Sequence, residues 1–520
     1  MHGAALILEL LIAVAALVTI ARRLEIAYPI FLVIGGLGLG LVPGVPPVQV
    51  DPDLIFLIVL PLLLYIAAFF TPVQNLRANL GALSSLAIGL VVASAAAVAV
   101  AAHALVPGLP WPAAWALGAI VAPPDAIAAT AVTRRLAVPR VVVTILEGES
   151  LLNDATALTI YGMALAVAGG AVFSAPEAVV TFAAAILGGC AVGLAVGWIV
   201  AQLRARIQDT PVEMTISFLT PYAAFLPAHR LGVSGVIAAV AAGLYLGQRG
   251  SRIMGADARL TGRAVWDTIT FLLNGFVFIV MGLAVPRLLR TVPRDDALRL
   301  IGLGVVVTLL LVLVRALWIL ATVYLPQRAW GQRDGLACSV MLSWAGMRGV
   351  VSLAAVLALP LTLPGGVPFP ARDALVIVTL TVIVLTLVGQ GLTLPRVIRV
   401  LGLGEDAGLR EEEARARQRL LEAATRRLDE LEPVWPSHRP LLDQLRETYR
   451  HRSEHVERQR EALDGDEEDR ELIEHREIRR TVIDAEREAL LRLRAEGDVG
   501  EEVLRHLERE LDFEERRMDA

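Results

Sequence analysis

The chain has 520 residues, 56% of them hydrophobic, with a mean hydropathy of +0.62 and a formal net charge of -5. These values exclude a soluble globular domain and describe a polytopic membrane protein. The basic residues are all Arg and are interleaved with acids, so no basic patch points to a nucleic-acid partner.

The apolar surplus ends near residue 402, which divides the chain into a transmembrane domain, 1–402, and a helical, charged C-terminal domain, 403–520. The first apolar run, 3–21, carries Glu9, lacks basic residues ahead of it and shows no convincing small-residue cleavage site, so it reads as a spanning helix rather than a signal peptide. Further spans follow at 29–44, 54–70, 80–106, 111–133, 141–168, 175–203, 212–229, 233–248, 265–285, 300–325, 334–360 and 372–400, about thirteen in all. Cys190 and Cys338 lie inside such runs and read as packing residues, without a disulfide or metal role.

The distribution of Arg sets an orientation. With the N-terminus outside, the cytoplasmic connections carry Arg22, Arg23, Arg77, Arg134, Arg135, Arg140, Arg204, Arg206, Arg249 to Arg263, Arg328 and Arg333. External connections are uncharged or acidic, as at Asp51 and Asp53. The exception is 286–299, where Arg287, Arg290, Arg294 and Arg299 are partly offset by Asp295 and Asp296. An odd number of spans then leaves the C-terminal domain in the cytoplasm.

The span 111–133 contains Ala122-Pro123-Pro124-Asp125. Consecutive prolines remove backbone donors and push the preceding residues out of helical geometry, so Pro123 and Pro124 predict a broken helix. Such a break survives in lipid only against protein or a water-filled cavity, and its freed carbonyls beside Asp125 suit a small hard cation. Asp125 capping the second half-helix is a structural reading compatible with that one.

The next span holds Glu147-Gly148-Glu149-Ser150-Leu151-Leu152-Asn153-Asp154. On a helix Glu149, Ser150, Asn153 and Asp154 fall within an arc of about 140°. A carboxylate at membrane depth costs at least about 2.5 kcal/mol, so such a stripe marks an ion or proton path. The competing reading is an acid paired with Arg only to fix helix packing.

The span 334–360 contains Gly346-Met347-Arg348-Gly349, where a buried guanidinium needs a carboxylate partner. Glu149 is the expected partner of Arg348, leaving Asp154 free for an ion. Asp267, Asn274 and Gln390 are further polar residues within spans and read as packing. In the C-terminal domain, helices are expected over 405–431 and 440–464, separated by Pro433-Val434-Trp435-Pro436. A third ends near Arg494 after Asp464-Gly465-Asp466, and a last one, following Gly497 and Gly500, ends near Met518. They read as a solvated bundle or a regulatory or dimer-supporting domain.

The run Gly148 to Asp154, the earlier Asp125 and the later Gly346 to Gly349 resemble the signatures of sodium/proton antiporters of the cation/proton antiporter-1 family, the NhaP and NHE type. The resemblance covers the whole transmembrane domain. It implies an all-α membrane fold of two inverted-topology repeats, helices 1–6 and 8–13, with broken helices at the ion site, and a homodimer in the lipid of the bacterial cell membrane. It implies Asp154 as the exchanging carboxylate, Asp125 and Ser150 as further ligands of the transported Na+, Asn153 as the amide orienting Asp125, and Glu149 with Arg348 as the supporting pair. Asn153 ahead of Asp154 resembles the electroneutral class, one cation per proton. No cofactor is implied. One departure is Pro124-Asp125-Ala126 where the family commonly has Thr-Asp-Pro, which removes a hydroxyl ligand and leaves Na+, K+ and Li+ as candidate ions.

The reading is alternating access with competition at Asp154. A cation channel is the rival, and an intramembrane aspartyl protease a remote one, since its Gly-x-Gly-Asp signature is missing at Asp125 and Asp154. Nothing in the spans supports other enzymatic chemistry.

Overall fold

The computed structural model describes residues 2–43, 55–133, 136, 138–207, 209–289, 293–325, 335–364, 366–403, 407–461, 466–496 and 501–519. Asp51, Asp53, Arg134, Arg135, Arg290, Arg328, Arg333, Asp464, Gly465, Gly497 and Gly500, on which parts of the orientation and of the tail reading rest, lie outside the described residues. Residues Met1–Glu405 and Asp406–Ala520 form two compact units.

In the first unit the helices are α1 (His2–Arg23), α2 (Tyr28–Leu41), α3 (Ile55–Phe70), α4 (Leu80–Leu105), α5 (Trp111–Val121), α6 (Ala126–Thr133), α7 (Arg140–Ala168) and α8 (Ala175–Arg204). There follow α9 (Thr210–Arg230), α10 (Gly235–Ile253), α11 (Ala256–Leu289), α12 (Arg294–Ile319), α13 (Gly335–Trp344), α14 (Val350–Leu357) and α15 (Arg372–Val400). Every apolar run read from the sequence carries helix, but among the described residues only seven segments, the broken Trp111–Thr133 among them, are long and apolar enough to cross a bilayer alone. The others are short, such as α2, or dilute their apolar character, as α9 does with Pro221 and Pro227 inside it.

The helices sort into two groups. One consists of α1–α3 and α8–α11, the other of α4–α7 and α12–α15; packing is dense within each and sparse between them. In the first group α2 and α11 approach to backbone contact because Gly36 faces Gly282, where any side chain would strike the opposing main chain. The second group contains both broken spans, α5/α6 and α13/α14. They occupy the fifth position of each inferred six-span repeat, which is where an inverted duplication would put equivalent breaks.

The second unit is built from α16 (Ala407–Leu431), α17 (Arg439–Glu461), α18 (Asp466–Glu496) and α19 (Glu501–Asp519). α16 packs on α17 and α18 on α19. The turn between α16 and α17 falls at Pro433 to Pro436, where the prolines cannot continue the helical hydrogen-bond ladder.

Candidate ion-binding site

The two broken spans cross, and Asp125 stands at the crossing. The Asp125 amide donates to the Met347 carbonyl at 2.6 Å, joining one break to the other. Its carboxylate Oδ1 accepts from Ile127 N in the first turn of α6 at 2.8 Å, and Oδ2 accepts from Val350 N at the start of α14 at 3.4 Å. One carboxylate thus serves the positive ends of two half-helices, whose first amides have no partner inside their own helix. Gly349 permits this, because a Cβ there would overlap the Asp125 carboxylate.

The negative ends of the other two half-helices meet guanidinium groups. Arg348 donates through Nε to Val121 O at 2.9 Å and through Nη2 to Ala122 O at 3.4 Å, at the C-terminus of α5, and through Nη1 to Gly346 O. Arg315, from α12, donates through Nε to Leu342 O at 2.9 Å near the end of α13. Its two terminal nitrogens grip Glu149 bidentately at 2.5 and 2.8 Å. Glu149, Arg315 and Arg348 are each 1% exposed.

The pair expected between Glu149 and Arg348 is therefore Glu149 with Arg315. Arg348 cannot turn toward Glu149 without abandoning the Val121 and Ala122 carbonyls at the end of α5, which accept from no other donor at that break among the described residues. Gly346 lets the two guanidinium groups lie side by side, since its Cβ position is 2.7 Å from Arg315 Cδ and 3.2 Å from Arg348 Nη1. Arg315 lies outside the motif-rich stretches, and its signal in the sequence is a lone Arg in the apolar run Leu309-Leu310-Leu311-Val312-Leu313-Val314-Arg315-Ala316-Leu317. The backbone amide of Arg348 donates to Thr386 Oγ1 at 3.1 Å, on a π-helical turn (Leu385–Gln390) of α15.

From α7, Asn153 is fully buried and donates through Nδ2 to Pro124 O at 2.8 Å. It holds the carbonyl before Asp125 rather than the carboxylate, so the amide fixes the break one residue earlier than expected. The Oδ1 atom of Asn153 is buried without a partner. Asp154, 5% exposed, is engaged by no hydrogen bond or ion pair among the described residues. It lines a cavity of about 520 Å³ together with Pro123, Pro124, Asp125, Ser150 and Glu147. Asp267 and Asn274 of α11, read from the sequence as packing residues, line the same cavity; Gln390 is buried elsewhere with both side-chain polar atoms unpartnered. A second cavity, of about 860 Å³, begins at Ala155, Leu158 and Thr159 on the next turn of α7 and reaches Val172 and Gly232. α7 thus presents Asp154 to one cavity and its neighbours to another.

The chain matches the family described as "Sodium/hydrogen exchanger, transmembrane" over residues 10–400. It is 36% identical over 531 residues to the uncharacterized Na(+)/H(+) exchanger Rv2287 of Mycobacterium tuberculosis (strain ATCC 25618 / H37Rv), covering 99% of this chain and 96% of that protein. To the sodium, potassium, lithium and rubidium/H(+) antiporter of Bacillus subtilis (strain 168) it is 32% identical over 367 residues, 67% of this chain and 54% of that protein. The sodium proton antiporter MjNhaP1 from Methanocaldococcus jannaschii has a similar fold, with a TM-score of 0.60 at 19% identity over 77% of this chain and 99% of that one.

Proposed function

The chain belongs to the sodium/hydrogen exchanger family, and from that premise we propose that it exchanges one monovalent cation, Na+ first and K+ or Li+ as alternatives, for one proton by competition at Asp154. The observation that carries the proposal is the charge inventory of the site. Among the described residues, Arg263 and Asp267 pair with each other at the exposed rim of the cavity, while the carboxylates gathered at the crossing, Asp125, Glu149 and Asp154, are set against the guanidinium groups of Arg315 and Arg348, leaving one net negative charge in this set. A single cation or a single proton neutralises it, and a neutral site crosses a low-dielectric barrier at far less cost than a charged one. Both loaded forms then carry the same charge, which makes the exchange electroneutral.

Asp154 is the group for which the ions compete, because Glu149 is held by Arg315 and the Asp125 oxygens by two helix ends. Ser150 and Asp125 supply further oxygens on the same cavity wall, where they replace water around a partly dehydrated cation. Supporting pairs at Glu149 and Arg348 keep the half-helix ends from competing for it. The sparse packing between the two helix groups, and cavities on either side of the Asp154 turn, support movement of one group against the other as the means of alternating access.

The cavity holding Asp154 ends in residues next to the Arg249–Arg263 connection, so the arginine rule supports an inward-open state and a cytoplasmic C-terminal domain. The largely exposed apolar surface of α8 supports a lipid-embedded homodimer. The sodium, potassium, lithium and rubidium range of the Bacillus subtilis antiporter supports monovalent selectivity.

Purified protein in sealed vesicles with a preset pH gradient tests the reading. Adding Na+ or K+ is expected to collapse the gradient in the wild type, with the membrane potential clamped or free, and to do nothing in Asp154→Asn. Cation flux without proton movement would overturn the antiport reading in favour of a channel.

A further inference from the structure

The wall of the Asp154 cavity is formed in part by α11. Four of its residues, Arg263, Asp267, Thr270 and Asn274, line that cavity. Their spacing of four, three and four residues places them within an arc of about 60° on one helix face and spreads them over about 16 Å of its axis. The stripe runs from an exposed end to a buried one. Arg263 and Asp267 form an exposed i,i+4 pair, with side chains 66% and 68% accessible and 4.0 Å apart; Thr270 is half-buried; Asn274 is 1% exposed.

The deep end carries the telling feature. Asn274 Oδ1 is buried with no hydrogen-bond partner, and so is Ser352 Oγ of α14, which lines the same cavity. A buried amide oxygen without a donor costs about 1–3 kcal/mol relative to a satisfied one. Helix packing does not call for it: a Leu would fill the volume without the penalty, as Leu does at many neighbouring positions. Asn274 Oδ1 and Ser352 Oγ are thus two unpartnered oxygens lining the cavity that Asp154 also lines, and such oxygens are of the kind a hard cation takes as ligands.

We propose that the α11 stripe is the approach path of the transported cation, with Asp267 gathering it at the rim, Thr270 replacing water along the wall, and Asn274 Oδ1 binding it beside Asp154. The inference rests on the antiport reading above and deepens it, because it assigns to the helix group without the broken spans a part in choosing the ion. Electrostatics favour the direction of travel. Among the described residues the cavity lining bears Asp125, Asp154 and Asp267 against Arg263, an excess of carboxylate that raises the local cation concentration. Arg263 stays at the rim, over the Phe70 ring at 5.0 Å from the centroid and 4.0 Å from Asp267. Asn274 belongs to the other helix group from Asp154, so its oxygen is available to the cation only while this cavity is open. Its contribution to affinity is therefore specific to one side of the membrane.

The test compares half-saturating Na+, maximal rate and the preference among Li+, Na+ and K+ in reconstituted vesicles, together with the cation-dependent rise in thermal stability, which reads binding without transport. Asn274→Leu is expected to raise half-saturating Na+ by about tenfold while leaving the maximal rate within about twofold, the loss of one oxygen ligand being worth roughly one decade. Asn274→Ser, which keeps an oxygen, should recover most of that loss and change the order among the ions. Asp267→Asn should raise half-saturating Na+ by about threefold at low ionic strength and have no effect in high choline chloride, since long-range attraction is screened there. Thr270→Val serves as a second path variant should Asn274→Leu fail to fold. An active wild type whose half-saturation and ion preference are unmoved by Asn274→Leu, Asn274→Ser and Thr270→Val would overturn the inference and leave antiport standing. A wild type without cation-coupled proton movement would remove both.

Discussion

A methyl group at position 349 would occupy the space of the Asp125 carboxylate. Gly349→Ala must therefore displace either that carboxylate or the start of α14, breaking the bond between Asp125 Oδ2 and Val350 N. Overpacking of this kind costs about 1–3 kcal/mol, and here it falls on a proposed ligand, so cation-driven proton movement should drop by at least about tenfold. Gly302→Ala in α12, where nothing lies within 4 Å of the added carbon, is the control and should transport normally. Initial rates of pH-gradient collapse, at matched reconstitution, distinguish the two.

The bidentate pair of Glu149 and Arg315 makes a second residue-scale prediction. Glu149→Gln leaves a guanidinium that is 1% exposed without its carboxylate, and stranding a buried charge costs about 3–5 kcal/mol. The thermal unfolding midpoint in detergent should fall by several degrees. Glu149→Gln combined with Arg315→Met removes both charges and should recover most of the loss. Equal destabilisation in the single and double variants would show that the pair is not an electrostatic unit.

At the scale of elements, what was legible in the sequence follows from which residues disrupt a helix by covalent geometry. Pro123 and Pro124 announce the first break, and Pro433 and Pro436 the turn of the α16/α17 hairpin, because proline lacks a backbone donor whatever surrounds it. The second break, at 345–349, contains no proline. Its glycines tolerate either a helix or a break, and only packing against Asp125 and Arg315 decides, so the span 334–360 looked continuous. Glu149 was visible as a buried acid in need of a cation, but its choice between Arg315 and Arg348 depends on which carbonyls each guanidinium must also satisfy. That information is tertiary.

The tail hairpin carries its own element-scale prediction. Arg446 of α17 donates to Glu432 at 2.7 Å and to Asp429 at 3.0 Å, tying it back to the end of α16. The hydrogen bond from Arg446, with its charge, holds the Glu432 carboxyl below its ordinary value. A carboxyl depressed in the folded state stabilises the fold above its unfolded pKa, about 4.3, and loses that contribution as pH falls through the depressed value. Amide hydrogen exchange across 422–450 in the full chain should therefore accelerate, relative to α18 in the same sample, as pH drops below about 4 at low salt. Arg446→Ala should show the faster exchange already at pH 7 and little further pH dependence. Because the groups are solvent-exposed, high salt should blunt the effect.

For the whole molecule, the charge inventory determines how transport responds to membrane potential. A site that carries no net charge with either ion bound is indifferent to the field as it crosses, so wild-type initial rates should be equal at 0 and -100 mV. Arg315→Gln removes one positive charge from the set of Arg315, Arg348, Asp125, Glu149 and Asp154, and every loaded form then carries a net negative charge. Moving one charge through the full potential is worth about 2.3 kcal/mol per 100 mV, so the rate of whichever crossing is slower becomes potential-dependent even though the exchange remains one for one. Glu149→Gln combined with Arg315→Gln restores the original net charge by removing one of each sign, and should restore indifference to potential at whatever rate remains. This double variant separates charge from geometry. Both variants lose the bidentate pair and share its structural cost, yet only the single one should respond to the clamp. If both respond equally, the field is sensed by distortion of the broken helices rather than by net charge, and the electroneutral assignment loses its physical basis.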